Sequence, residues 1–322
     1  MPDLSPLYAA AAAFLVTLLL LPAAIGVLRR AGLTQVVRQQ GPASHLAKAG
    51  TPTAGGAVFV PVACLAAWAV DPRNVVLLAC CGVTLGHAAL GFADDYLKVV
   101  RKRPEGLWAR HKLAGQLLLA GLLCLVALGA RPEAMGLAVP WMRGHLVVAP
   151  LVFLALVVVA LLGSTNGANF TDGADGLLGS TGAVALGSVG VVAWAVGDRG
   201  LAGLDLALGG ALLAFLRWNW HPAVVFMGDT GSMAIGAAFA SVGILTGLTL
   251  YLPLIGLFFL LEVLSVVLQV AWYRRTGRRL LRMAPLNHHL ELSGWGEGRL
   301  VPRVLVFSLL CGAAGLLGYW GR

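Results

Sequence analysis

Apolar runs, each close to the roughly 20 residues that cross a bilayer as a helix, recur along the whole chain between short polar connections. Taken with their Gly, Pro and charged breaks, they predict helices at roughly 7–28, 53–70, 75–93, 113–129, 146–163, 177–196, 201–217, 231–248, 250–273 and 302–320. No stretch is left over for a soluble domain. The expected fold is a single all-α integral membrane domain over residues 1–322, with about ten transmembrane helices. The first run follows Asp3 and ends in Arg29 and Arg30, the flanks of a retained helix rather than a cleaved signal. Segment 131–145 contains Pro132, Pro140 and Trp141 and reads as a short interfacial hairpin or amphipathic piece. No internal repeat suggests a transporter built on inverted halves.

Composition agrees: 59% of residues are hydrophobic and 11% charged, against roughly 25% charged in soluble domains. The net charge of +9 could signal nucleic acid, but the basic residues follow topology. Of the 23 Lys and Arg, all but Arg73, Arg131, Arg143, Arg199 and Arg322 fall in one alternating set of connections. Basic residues are retained on the cytoplasmic side, so that set faces the cytoplasm, both termini are extracytoplasmic, and no nucleic-acid partner is expected. Cys64, Cys80, Cys81, Cys124 and Cys311 lie in apolar runs without metal-ligand spacing and read as packing residues.

The acids are the departure from this plain membrane pattern. Asp94, Asp95, Asp172, Asp175 and Asp229 all fall in or beside helix ends on the predicted cytoplasmic side. Adjacent carboxylates at Asp94 and Asp95 repel one another and lose hydration, so they need a cation or solvent; a solvated helix end is the plainer reading. The run from Asn166 to Gly176 is polar and glycine-rich and suits a polar ligand, although its residues are also turn and cap formers. Asp229 either caps the helix that follows it or, joined by the other acids, offers hard oxygen to Mg2+, whose shell phosphates and water complete. His288 and His289 lack a third ligand at zinc-enzyme spacing, so phosphate or sugar contact or acid–base work fits them better. Glu262 is an ionisable group at membrane depth with Gln269 two turns later, and is either functional or hydrogen-bonded to a neighbouring helix.

Together the segment from Gly91 to Val99, the run from Asn169 to Gly176, the segment from Val225 to Ser232 and the loop from Met283 through Trp295 resemble the phospho-N-acetylmuramoyl-pentapeptide transferase family. That family belongs to the polyprenyl-phosphate N-acetylhexosamine-1-phosphate transferase superfamily. The likeness runs from Gly50 to Arg303 with the motifs in order. It implies a multi-pass enzyme of the bacterial inner membrane, active at its cytoplasmic face and dimeric. Such an enzyme moves phospho-N-acetylmuramoyl-pentapeptide from its UDP carrier to undecaprenyl phosphate, giving lipid I and UMP for peptidoglycan synthesis, with Mg2+ as cofactor.

Carried over position by position, the resemblance implies Asp229 as the Mg2+ ligand and Asp94, Asp95 and Asp229 as the catalytic set. Asp94 would act on the lipid phosphate, and Asp95 would support the metal site or the helix end. The implied nucleotide pocket draws on Lys48, Thr53, Lys98, Asn169, Asp172, Asp175, Asn219, Phe226, Gln269, His288 and His289, with Lys112 as a further cationic arm. One departure stands out: the family loop usually has three consecutive histidines, and here the first is Asn287, which cannot carry a proton at neutral pH. The nearest competing reading is a sister transferase using UDP-N-acetylglucosamine or a related UDP-sugar. A secondary transporter is more distant, since it calls for acids near the midplane rather than at one face.

Overall fold

The computed structural model describes residues 3–35, 48, 50–103 and 105–321; Arg38 of the basic set and Arg322 lie outside them. Each of the ten expected segments coincides with helix. The long helices are α1 (Ser5–Arg30), α2 (Gly56–Val70), α3 (Val75–Val99), α4 (Ala109–Ala130), α5 (Pro150–Thr171), α6 (Leu177–Ala195), α7 (Arg199–Asn219) and α8 (Gly228–Leu245). The chain continues through the single turn α9 (Leu252–Ile255), α10 (Leu257–Thr276), the short α11 (Leu286–Leu292) and α12 (Glu297–Trp320). Among the described residues, eight helices are long and apolar enough to span a membrane, while α2 is shorter and α8 is not counted with them.

The packing explains why α8 escapes a hydropathy criterion. Every residue of α8 except Asp229 is buried, and the helix packs against α2, α3, α5 and α6. A helix walled in by protein needs small residues for close approach rather than bulk to meet lipid. A Cβ on Gly236 would sit 2.3 Å from the Ser164 carbonyl oxygen, and one on Gly56 would sit 2.2 Å from the Gly231 nitrogen. Similarly enclosed, α7 lies among α1, α2 and α6. The large apolar side chains point outward instead: Leu19 on α1, Leu118 and Leu125 on α4 and Leu317 on α12 are all exposed. Such a surface suits lipid.

Three expectations are corrected. Helix α3 runs past residue 93 to Val99, which puts Asp94 and Asp95 in its last turns, at the helix end where they were expected. Helix α5 runs past residue 163 to Thr171, so Asn166 and Asn169 are helical rather than loop residues. Their polar side chains face protein, and hydropathy alone reads such turns as the end of a span. The expected span 250–273 is broken at Gly256, where a Cβ would come within 2.9 Å of the Phe239 ring. The histidine loop carries a helix, α11, too short for a periodic signal.

Segment 131–145 opens with a 3-10 turn (Pro132–Met135) and leads into a hairpin of β1 (Gly136–Ala138) and β2 (His145–Val147), pairing Leu137 with Leu146. It closes the end of the bundle opposite the acids: the Ala138 N–H donates to Gly247 and the Trp141 N–H to Gly318, at 2.9 and 3.1 Å.

Candidate active site

The local geometry starts at Gly228, whose φ of +70° opens α8 and whose Cβ, if present, would lie 2.4 Å from a carboxylate oxygen of Asp95. Glycine is therefore required there twice over. With that space clear, Asp95 accepts from the Asp229 and Thr230 N–H groups, both at 3.1 Å, and from the Thr230 hydroxyl at 2.7 Å. A carboxylate on α3 thus caps the first turn of α8, favourable for the N–H groups and for the helix dipole. Asp95 is turned to the helix end, and its neighbour Asp94 is not, because consecutive residues on a helix point about 100° apart.

Held this way, Asp229 projects into a cluster. Its Oδ2 receives Lys112 Nζ at 3.0 Å and Lys98 Nζ at 3.2 Å, and its Oδ1 receives Asn169 Nδ2 at 2.9 Å. Asn169 also donates to the Ser232 hydroxyl at 2.8 Å. Lys98 is paired in addition with Asp94, one turn earlier on α3, and the Asp94 carboxyl lies against that of Asp229. Asp94 also accepts the Leu107 N–H at 2.8 Å, fastening the α3–α4 connection. The helices meet here through Gly91, where a Cβ would fall 2.1 Å from the Asp229 carbonyl oxygen. Gly91→Ala must push α3 and α8 apart at the site; overpacking of this kind costs about 1–3 kcal/mol. The expected result is a lower Tm together with lost turnover, and unchanged values of both would remove this role for the close approach.

Negative charge exceeds positive in this cluster: Asp94, Asp95 and Asp229 face Lys98 and Lys112, with Asp172 beside them. Burial, and then repulsion from Asp229 and Asp95, holds the Asp172 carboxyl well above the usual carboxylate range. Asp94 and Asp229, touching and met by Lys98 and Lys112, are a hard oxygen donor set with the further carboxyls of Asp95 and Asp172 beside it. That chemistry fits Mg2+, which takes one or two carboxylates and leaves the remaining positions to phosphate and water.

A second knot lies next to it. Lys48 reaches Asp175 at 2.7 Å and Glu297 at 2.5 Å, and its ammonium stands 5.9 Å from the centre of the Phe226 ring. His221 Nδ1 lies 3.1 Å from Asp175 and 3.2 Å from Glu297, and Glu297 also accepts the Asp175 N–H at 3.2 Å. Asp175, His221 and Glu297 are close enough to share a metal, but the Lys48 ammonium already supplies the cation. Burial alone would lower the Lys48 pKa; its hydrogen bonds to the two acids more than reverse this and raise it, so the ammonium stays charged. Asn219 is buried, accepting the Gly176 N–H at 3.2 Å and donating to the Val225 carbonyl at 3.0 Å. Thr53 is buried as well, in the stretch that pairs with residue 226, where the Phe226 N–H donates to Pro52 at 2.8 Å.

Gln269 turns away from these knots: its carbonyl accepts the Leu280 and Leu281 N–H groups at 3.0 and 2.8 Å and its amide donates to Leu281. It shapes the loop that precedes α11. On α11, His288 Nδ1 lies 3.1 Å from Glu291, and His289 Nδ1 accepts the Arg282 N–H at 3.2 Å. The predicted residues therefore form three adjoining groups at one end of the bundle. Asp172 feels the charges of Asp229, Asp95, Lys48 and Asp175, and Gly173 lies against Asn287 and His288. Glu297 and His221 are the members that sequence reasoning did not single out. Glu297 stands just past the Gly294-Trp295 motif, and that position was the available signal.

Comparison with known proteins places these residues in context. The glycosyl transferase family 4 profile matches residues 76–247, which hold all five clustered aspartates. The phospho-N-acetylmuramoyl-pentapeptide-transferase of Moorella thermoacetica is 44% identical over 324 residues, 97% of each chain. That of Desulforamulus reducens is 43% identical, over 96% of this chain and 94% of its own. That of Shouchella clausii is 42% identical over 95% of both. These matches reach beyond the profile and take in the histidine loop.

Proposed function

The chain belongs to the phospho-N-acetylmuramoyl-pentapeptide-transferase family, and on that premise we propose that it joins phospho-N-acetylmuramoyl-pentapeptide, taken from its UDP carrier, to undecaprenyl phosphate. The products are lipid I and UMP. The reaction takes place with Mg2+ at the cytoplasmic face of the bacterial inner membrane, in a homodimer. The observation that carries the reading is the convergence of Asp94, Lys98, Lys112, Asn169 and Asp229, from four helices, at one end of a membrane bundle. A soluble nucleotide and a lipid phosphate can meet only at such an end.

Asp229, with Asp94 beside it, would hold the ion, which when bound neutralises pyrophosphate oxygens and stabilises the departing UMP. Lys98 and Lys112 are poised to exchange carboxylate for phosphate oxygens, charge-assisted contacts of the stronger kind. Asp94 orients the lipid phosphate. Asp95 touches no substrate: it is a positioning residue that sets Asp229 by holding the first turn of α8. Lys48, Asp175 and the Phe226 face form the nucleotide end, where the ring can stack on a base.

The lipid phosphate is largely ionised near neutral pH, since the second pKa of a phosphate monoester is about 6. It attacks directly: one of its oxygens bonds to the phosphorus bearing the sugar while the bond from that phosphorus to UMP breaks, its electron pair leaving with UMP. The purified protein is expected to release UMP only when lipid phosphate, Mg2+ and the muramoyl-pentapeptide nucleotide are all present, with UDP-N-acetylglucosamine inactive. Turnover with the latter nucleotide instead would make it a sister transferase, and a trapped phospho-sugar adduct on Asp94 would overturn direct attack.

A further inference from the structure

Glu262 is fully buried on α10, yet it carries a carboxylate whose loss of hydration needs a partner. That partner is the leading backbone of α11: Oε1 accepts the Asn287 N–H at 3.0 Å, with Leu286 N–H beside it. Asn287 is itself fully buried. Its carbonyl accepts the His288 N–H at 2.8 Å and its amide donates to the Phe170 carbonyl on α5 at 3.3 Å. Gly173 leaves room for this approach, since a Cβ there would lie 2.0 Å from the Asn287 amide nitrogen and 3.1 Å from His288 Cε1. The seven residues of α11 are thereby tied to α10 on one side and to the end of α5 on the other. The arrangement repeats the one at Asp95, where a buried carboxylate on one helix fixes the first turn of another.

We propose that Glu262 and Asn287 are a positioning pair that holds His288 and His289 in register with the acid cluster. Asn287, where the family loop usually has a histidine, acts through its amide as a strut and takes no part in proton transfer. The inference rests on the function proposed above. A buried asparagine that donates to a backbone carbonyl and accepts from the next residue uses both ends of its amide in structural contacts.

The test compares purified Glu262→Leu, Glu262→Gln, Asn287→Asp and His288→Ala, measuring kcat and KM for UMP release below each variant's Tm. Glutamine keeps the accepting oxygen and places its NH2 where Glu262 Oε2 has no hydrogen-bond partner among the described residues. Glu262→Gln should therefore stay within about threefold of wild type. Glu262→Leu should lose about 10²-fold in kcat, the scale of a misplaced catalytic group. Asn287→Asp keeps volume and carbonyl but turns the donor to Phe170 into an acceptor; it should lose about tenfold, and it answers the question if Glu262→Leu does not insert. Folded Glu262→Leu or Asn287→Asp with wild-type kcat and KM, alongside a disabled His288→Ala, would overturn the positioning role alone. Wild-type turnover in His288→Ala would remove the histidine helix from the site altogether.

Discussion

Asp229→Asn leaves an inserted, folded protein whose UMP release falls by about 10³-fold or more, the scale on which preorganised electrostatic groups act. The side chain is the one member of α8 that is not buried, and the first turn of the helix is held by Asp95 and by the glycine contacts rather than by Asp229 itself. Stability is therefore spared. An amide oxygen can still accept from Asn169, but the charge that pairs with Lys98 and Lys112, and that would hold a divalent ion, is gone. Circular dichroism and Tm report the fold, and Mg2+-dependent UMP release reports the chemistry. A purified variant turning over at the wild-type rate would remove Asp229 from the metal site.

Asp94 and Asp95 are neighbours in sequence, and the same substitution is expected to cost turnover at both but stability only at Asp95. Asp94→Asn keeps an oxygen for the Leu107 N–H and loses its charge toward Lys98, so turnover disappears while Tm hardly moves. Asp95→Asn puts an NH2 group, in either orientation of the amide, against a backbone N–H, that of Asp229 or that of Thr230. A buried donor left facing donors costs about 1–3 kcal/mol, so Tm drops and activity falls with it as Asp229 shifts. Thermal unfolding measured beside turnover separates the two; equal Tm losses in both variants would contradict the division of roles.

Much of this was legible in the sequence because apolar runs and acids are local signals. The ten helical segments stand out by composition, and the five aspartates announce themselves at helix ends. What escaped was set by tertiary contact. The last turns of α5 read as loop because Asn166 and Asn169 are polar and stand among glycines, whereas there the helix packs against α8. Hydropathy and helix pattern do not tell Asp94 from Asp95, since which faces α8 depends on helix rotation, and only the family resemblance separated their roles. The resemblance implies Gln269 for the nucleotide pocket, and its contacts with backbone eleven and twelve residues away are a further feature no local pattern encodes. Glu297 and His221 meet Lys48 and Asp175 across long separations that no local pattern encodes.

The enclosure of α8 also bears on how the protein is made. A segment rich in glycine, alanine and serine, with an aspartate in its first turn, partitions poorly from the insertion machinery into lipid on its own. Most of the helices that wall it in, α2, α3, α5, α6 and α7, precede it in the chain, while α9 and Phe259 of α10 close over it afterwards. Most of its cradle is therefore synthesised before it, so that Asp229 has protein rather than lipid to pack against.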